Sequence, residues 1–249
     1  GELMKTTIIC FSPTGGVEKV AQLIATELNV AAPYDYTTRG YEVSFSSDDL
    51  VFFCFPVYGG RIPTPMYDRM NYVHGNGAKA VLVAVYGNRA VEDALLEMSD
   101  LCLNRGFKVV GGAEMIAPHS IDKRFGAGRP DASDIAALNK FLASLMAKQE
   151  LTTVAMPGKR PYKEYKGIPV YPTSSSKCSG CGTCAQECPT EAIDPGDPQH
   201  TDKSKCISCM RCVSMCPFSQ RRVPKAMQLA ASAALIKMCA GRKEPKFYL

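Results

Sequence analysis

The stretch TTIICFSPTGGVEKVAQLIATEL, residues 6–28, decides how the first half of the chain folds. It opens on a β-branched, apolar run, Thr6-Thr7-Ile8-Ile9-Cys10-Phe11, with no polar alternation. It turns through Ser12-Pro13-Thr14-Gly15-Gly16-Val17 and continues over 17–28 with Val20, Leu23, Ile24 and Leu28 on one helical stripe. A continuous apolar run is expected of a strand buried on both faces, as in a parallel sheet. The same kind of run recurs at Leu50-Val51-Phe52-Phe53-Cys54-Phe55, at Ala80-Val81-Leu82-Val83-Ala84-Val85 and over 109–116. A further strand, second in chain order, is expected near 32–37. Helical patterns fall between the strands, over 91–105 (Ala94, Leu95, Met98, Leu101, Cys102) and 131–148 (Ile135, Leu138, Leu142, Leu145). Such alternation predicts an α/β fold with a parallel five-stranded sheet and right-handed crossovers.

Three loops then fall at the C-terminal ends of strands, where a doubly wound sheet binds its ligands. In the first, Gly15 and Gly16 free backbone amides at a helix start, and Ser12 and Thr14 add hydroxyls. That is a phosphate cradle needing no basic side chain. It is not a Walker A loop, which would require Gly-Lys-Ser/Thr, and such turns often do no more than cap a helix. The second loop reads Pro56-Val57-Tyr58-Gly59-Gly60-Arg61-Ile62-Pro63 and the third Tyr86-Gly87-Asn88-Arg89. Tyr58 suits stacking on a flat heterocycle, and the amides of Gly59, Gly60, Gly87 and Asn88 suit its polar edge. Either tyrosine alone would be read as loop packing; three loops in this order favour a binding site. Arg61, Arg89 and His119 are expected near it, with a solvated arginine and a structural histidine as the plainer alternatives.

The second half carries a repeat. Cys178-x2-Cys181-x2-Cys184-x3-Cys188-Pro189 is followed by Cys206-x2-Cys209-x2-Cys212-x3-Cys216-Pro217. This is the spacing of bacterial ferredoxins, in which three cysteines wrap one cubane and the fourth crosses to the other. One [4Fe–4S] cluster would then take Cys178, Cys181, Cys184 and Cys216, and the other Cys206, Cys209, Cys212 and Cys188. Gly180 and Gly182 leave room for amides to approach the sulfurs. Zinc is the competing reading, but zinc modules pair two Cys-x2-Cys units or mix in histidine. The remaining Cys10, Cys54, Cys102 and Cys239 are expected in the core.

Composition bounds the rest. Of 249 residues 46% are hydrophobic, enough for a packed core. No apolar run reaches the ~20 residues of a membrane-spanning helix, and the start at Gly1-Glu2-Leu3-Met4-Lys5 has no pattern of an export signal. Clustered cysteines without such a signal favour metal over disulfides and a cytoplasmic setting. The net charge of +5 is uneven: residues 1–150 hold 14 Lys and Arg against 17 Asp and Glu, and residues 151–249 hold 15 against 7. Within 178–216 the balance is 3 against 5, so the surplus flanks the cysteines. Compensation of two clusters, each about −2, or a solvated basic face accounts for it more simply than nucleic acid.

Residues 5–148 resemble a flavodoxin-like domain, and nearly the whole chain resembles the flavodoxin–ferredoxin fusion family of anaerobic bacteria and archaea. The loop at 12–17, PVYGGRIP at 56–63, YGNR at 86–89 and the doubled cysteine run carry the likeness. It implies the strand order 2-1-3-4-5 with FMN at the switch point. It implies that Ser12, Thr14, Gly15 and Gly16 hold the phosphate, and that Pro56, Val57, Tyr58, Gly59, Gly60, Tyr86, Gly87, Asn88 and Arg89 border the isoalloxazine. The family's loop commonly reads Thr-Gly-Asn-Thr; here Gly16 and Val17 take the last two places, so Val17 offers only its amide.

The expected organisation is a flavodoxin-like domain over 1–150 and a Pro- and Gly-rich linker over 151–172. A smaller α+β 2[4Fe–4S] ferredoxin domain follows over 173–223, then a helix and tail over 224–249. The final helix, near 226–240, is expected to pack back on the first domain. The expected activity is electron transfer between FMN and two [4Fe–4S] clusters, linking two-electron and one-electron redox partner proteins. The alternatives are an FMN-dependent reductase of a small acceptor, and a docking subunit that has lost its flavin. No acid–base pair or nucleophile stands out for hydrolysis or group transfer.

Overall fold

The computed structural model describes residues 4–249. Five parallel strands form the main sheet: β1 (Thr6–Cys10), β2 (Tyr34–Asp35), β3 (Leu50–Pro56), β4 (Lys79–Tyr86) and β5 (Lys108–Ile116). Their spatial order is 2-1-3-4-5, the flavodoxin-like doubly wound arrangement. β6 (Lys246–Tyr248) adds an antiparallel edge beside β5, pairing Phe247 with Ala113. The sheet therefore has six strands where the sequence pattern shows five. The expected second strand shrinks to two exposed residues, because Pro33 and the turn at Thr37–Thr38 leave little to pair.

Each strand's apolar run is explained by what covers it. In β3 every residue is buried, and successive side chains alternate between two cores. Phe52 and Cys54 face α1 (Gly16–Leu28) and α4 (Ala132–Met146), through Val20, Ile24, Leu138 and Leu142. Phe53 and Phe55 face α2 (Pro65–Met70) and α3 (Ala94–Asn104), through Met66, Met70, Leu95 and Met98. Each such buried side chain contributes about 1.5–3 kcal/mol. α4 starts on a reciprocal cap in which Asp131 accepts from the Asp134 amide and Asp134 from the Asp131 amide.

Residues 151–172 run without regular structure along the first domain. Val154 donates to the Val109 carbonyl, and Met156 fills the space that Gly112 leaves, where a Cβ would lie 2.5 Å from its sulfur. The cysteine segment holds two one-turn helices, α5 (Thr183–Gln186) and α6 (Arg211–Ser214), and a ladder of Thr173–Ser174 with Arg221–Arg222. α7 (Lys225–Met238) then packs against three parts at once, burying Leu235 with Ile121, Val170 and Met210. Among the described residues no helix is long and apolar enough to cross a membrane.

A cofactor cavity beside two four-cysteine pockets

The three loops meet at one cavity of about 660 Å³. Ser12, Thr14, Gly16, Val17, Pro56, Val57, Tyr58, Gly59, Tyr86, Gly87 and Arg89 line it, with Ala117, His119 and Ser120 from the loop after β5. Gly15, Gly60 and Asn88 lie outside the lining. The far wall comes from residues 163–170 and from α7, through Met227, Ala230, Ala231, Ala234, Leu235 and Met238.

The first loop is shaped to take an anion. Gly15 is left-handed at φ +89° and starts α1. The Ser12 hydroxyl accepts from the Glu18 amide at 2.9 Å, and the Ser12 amide donates to the Thr37 hydroxyl at 2.8 Å. Among the described residues, no acceptor meets the amides of Thr14, Gly15, Gly16 or Val17. Four free amides at the start of a 13-residue helix are an arrangement suited to an anion. A Cβ on Gly16 would lie 2.9 Å from that of Ala117.

The second loop is a tight turn. Tyr58 and Arg61 exchange backbone hydrogen bonds, and Gly59 and Gly60 between them take φ +61° and +85°. A Cβ on Gly59 would strike the Tyr165 ring at 2.7 Å, so the linker tyrosine packs against this turn. The Tyr165 hydroxyl is buried with no partner, an unmet polar group at the cavity's edge. Arg61 turns away from the cavity. It grips Glu97 through two bonds of 2.7 Å, and Glu97 also accepts from the Ile62 amide and the Tyr67 hydroxyl. Glu97 thus anchors the loop, a role the helical pattern over 91–105 did not single out.

The third loop is similarly divided. Arg89 lines the cavity but is paired with Glu92, which also takes Lys163 at 2.8 Å. Asn88, left-handed at φ +64°, sends its side chain to the carbonyls of Cys239 and Gly241, fastening the end of α7. His119 accepts from the Ile121 amide at Nδ1, leaving Nε2 to carry the proton of the neutral ring. Burial holds its pKa below the ordinary value, against the pull of Asp122.

Beside this cavity lie two small pockets. One is lined by Cys178, Cys181, Cys184 and Cys216, the other by Cys188, Cys206, Cys209 and Cys212. Each therefore gathers three cysteines of one motif and the fourth of the other. The two motifs repeat in backbone as well as spacing. Gly180, Gly182 and Glu191 have positive φ, and so do Ser208, Met210 and Ser219 at the matching places. The Ala192 amide lies 3.3 Å from the Cys188 sulfur, and the Gln220 amide 3.3 Å from that of Cys216. Two four-sulfur pockets with inward amides are the donor set a [4Fe–4S] cubane takes. Cys10, Cys54, Cys102 and Cys239 are buried elsewhere, and burial raises each of their thiols.

The cavity and the second pocket share a wall. Ser208, between Cys206 and Cys209, lines both. Burial pushes the Tyr58 hydroxyl well up, and the neighbouring Cys209 and Tyr165 raise it further. Two arginines clamp the contact. Arg211, between Cys209 and Cys212, donates to the Ser12 and Pro13 carbonyls at 3.2 and 3.3 Å and pairs with Glu187. Arg69 on α2 reaches the Pro189 carbonyl at 2.8 Å and those of Thr37 and Thr38.

A flavodoxin-like sheet together with a 4Fe–4S domain indicates electron transfer. Residues 177–228 match the family described as the 4Fe-4S dicluster domain. No curated protein matches the chain. Among solved structures it is similar to the flavodoxin of Streptococcus pneumoniae TIGR4, at 19% identity over 57% of this chain and 97% of that one, TM-score 0.40. It is also similar to the Trp repressor binding protein of Bacillus subtilis, at 13% over 59% and 99%, TM-score 0.35. Rubredoxin oxygen:oxidoreductase of Desulfovibrio gigas is similar at 13% over 58% and 37%, TM-score 0.39.

Proposed function

We propose that this chain relays electrons between FMN and two [4Fe–4S] clusters, coupling a two-electron to a one-electron redox partner in the cytoplasm, as a flavodoxin–ferredoxin fusion. The wall shared through Ser208 carries the reading: a flavin cavity and a cluster pocket in contact have a use in electron transfer and none in separate binding functions. FMN supplies exchange of one or two electrons, and each cubane of one.

The residues do the positioning. The amides of Thr14, Gly15, Gly16 and Val17 would take the phosphate, with the Ser12 proton. Pro56, Val57, Tyr58, Gly59, Tyr86 and Gly87 would border the ring, and Tyr165 has a free hydroxyl to offer it. The α7 face and residues 163–170 keep water from the other side. Cys178, Cys181, Cys184 and Cys216 would hold one cluster, and Cys188, Cys206, Cys209 and Cys212 the other. An open cavity disfavours the flavin-free docking subunit. Arg89 and Lys163 spend their charge on Glu92, which leaves the reductase alternative short of groups to hold a polar acceptor.

Anaerobic purification followed by counts of iron, acid-labile sulfide and FMN tests the reading. About eight irons, eight sulfides and one FMN per chain are expected. Fewer irons in the fully loaded protein sink the two-cluster assignment, and no FMN after anaerobic reconstitution sinks the flavin site.

A further inference from the structure

Arg221 is the largest side chain buried almost completely in the molecule, at 2% exposure. Four of its five donors meet neutral oxygens. Nη1 donates to the Ser174 hydroxyl and the Pro198 carbonyl, and Nη2 to the Pro172 carbonyl and, at 2.5 Å, the Thr201 hydroxyl. Its Nε–H is buried with no partner. Among the described residues no carboxylate forms an ion pair with it. The other deeply buried arginines differ: Arg69 pairs with Asp68 and Arg129 with Asp134.

A fold seldom keeps a full charge in its interior with no counter-charge, because burial strips the charge of its hydration. The position of Arg221 supplies the missing partner. It lines the pocket of Cys178, Cys181, Cys184 and Cys216, and its Nη2 is held by Pro172 and Thr201, which line the pocket of the other four. Nη1 is held by Ser174 and Pro198, which line the first of these pockets. One guanidinium is therefore held by residues that line both four-cysteine pockets.

We propose that Arg221 is the shared counter-charge of the two clusters, a buried cation that holds both at a higher reduction potential. The inference rests on the two-cluster reading above. A cubane with four thiolates is already negative, and each electron added makes it more so. A fixed positive charge in a low-dielectric interior stabilises the more negative state, so the reduced form gains more than the oxidised one. The hydroxyls and carbonyls around the guanidinium fix its direction without neutralising it. The basic surplus of the second half thus includes one residue placed to compensate both clusters.

Redox titration of the full-length, anaerobically loaded chain, followed by electron paramagnetic resonance, tests this. Wild type, Arg221→Gln and Arg221→Lys are compared after iron and sulfide are counted. Arg221→Gln should move both clusters to lower potential, by about tenfold in the reduced-to-oxidised ratio at a fixed potential, or ~59 mV for one electron. Arg221→Lys, which keeps the charge and loses the planar fork, should recover most of that shift. Unchanged potentials in Arg221→Gln at full iron overturn the proposal. Equal shifts in both variants overturn it as well, because they mark lost packing and not lost charge, and a shift confined to one cluster overturns the shared role. If Arg221→Gln loses iron, Arg221→Lys decides: wild-type potentials support the proposal, and Arg221→Gln-like loss overturns it. Fewer than about eight irons in wild type would strike the two-cluster reading itself, a separate failure.

Discussion

His119 shows how far a single residue could be understood before its surroundings were known. The sequence places it after a strand, near the candidate site, and goes no further. The fold half-buries it, fixes Nδ1 on the Ile121 amide and sets its pKa below the ordinary value of 6.5, chiefly through burial. The unfolded chain then takes up a proton before the folded one as pH drops. Stability is therefore present above the ordinary histidine pKa and is lost as pH falls below it. Thermal melts of wild type and His119→Gln between pH 5 and pH 8 should diverge on the acid side, wild type losing up to about 1.4 kcal/mol more per pH unit. Parallel curves would mean the ring is not held neutral by the fold. Ser12, Tyr58 and Gly59 were legible because backbone position alone brings strand-end loops together. The side-chain directions of Arg61 and Asn88 were not, since Glu97 and the Cys239 and Gly241 carbonyls reach them from distant segments. Arg221 was the least legible, because its meaning depends on Pro172, Ser174, Pro198 and Thr201 closing around it.

At the scale of elements, length governed what the pattern could show. The long strands and helices appear at their expected places because burial on both faces writes a continuous signal. β6 has three residues and α2 six, too short for any period to register. The contact between the phosphate loop and the cysteine segment is likewise absent from local sequence, yet it has a consequence. Ser12 is held by its amide through Thr37, which Arg69 ties to Pro189, and by its carbonyl through Arg211. Both restraints run to residues beside candidate cluster cysteines, Pro189 next to Cys188 and Arg211 between Cys209 and Cys212. The geometry of the anion site therefore depends on the cysteine segment being folded. Arg211→Gln should weaken FMN binding about tenfold, roughly the 1.4 kcal/mol of one lost charged hydrogen bond. Riboflavin, which has no phosphate, should bind the variant as it binds wild type. Fluorescence titration with both ligands checks the pair, and an equal loss for the two would show that Arg211 supports the whole cavity rather than the loop.

At the scale of the whole molecule the two halves are stabilised by different means. The sheet carries two extensive apolar cores, one on each face. The cysteine segment buries few apolar side chains, Cys184, Ala192, Ile193, Cys209, Met210 and Cys212, and three of these six are candidate cluster ligands. On the two-cluster reading proposed above, the clusters would complete that small interior, and binding them would be coupled to folding. Removing iron with a chelator should therefore unfold the cysteine segment and spare the sheet. Hydrogen exchange read by mass spectrometry should show protection lost over 173–223 and kept in β1, β3, β4 and β5. Peptides covering 12–17 should exchange faster in the iron-free protein, although no iron ligand lies among them, because Arg211 and Pro189 no longer hold their places. Loss of protection in the sheet together with 173–223 would show one cooperative unit and defeat the argument. An unchanged 12–17 would show that the anion loop keeps its shape unaided, and the clamp at Ser12 would then be a contact without consequence.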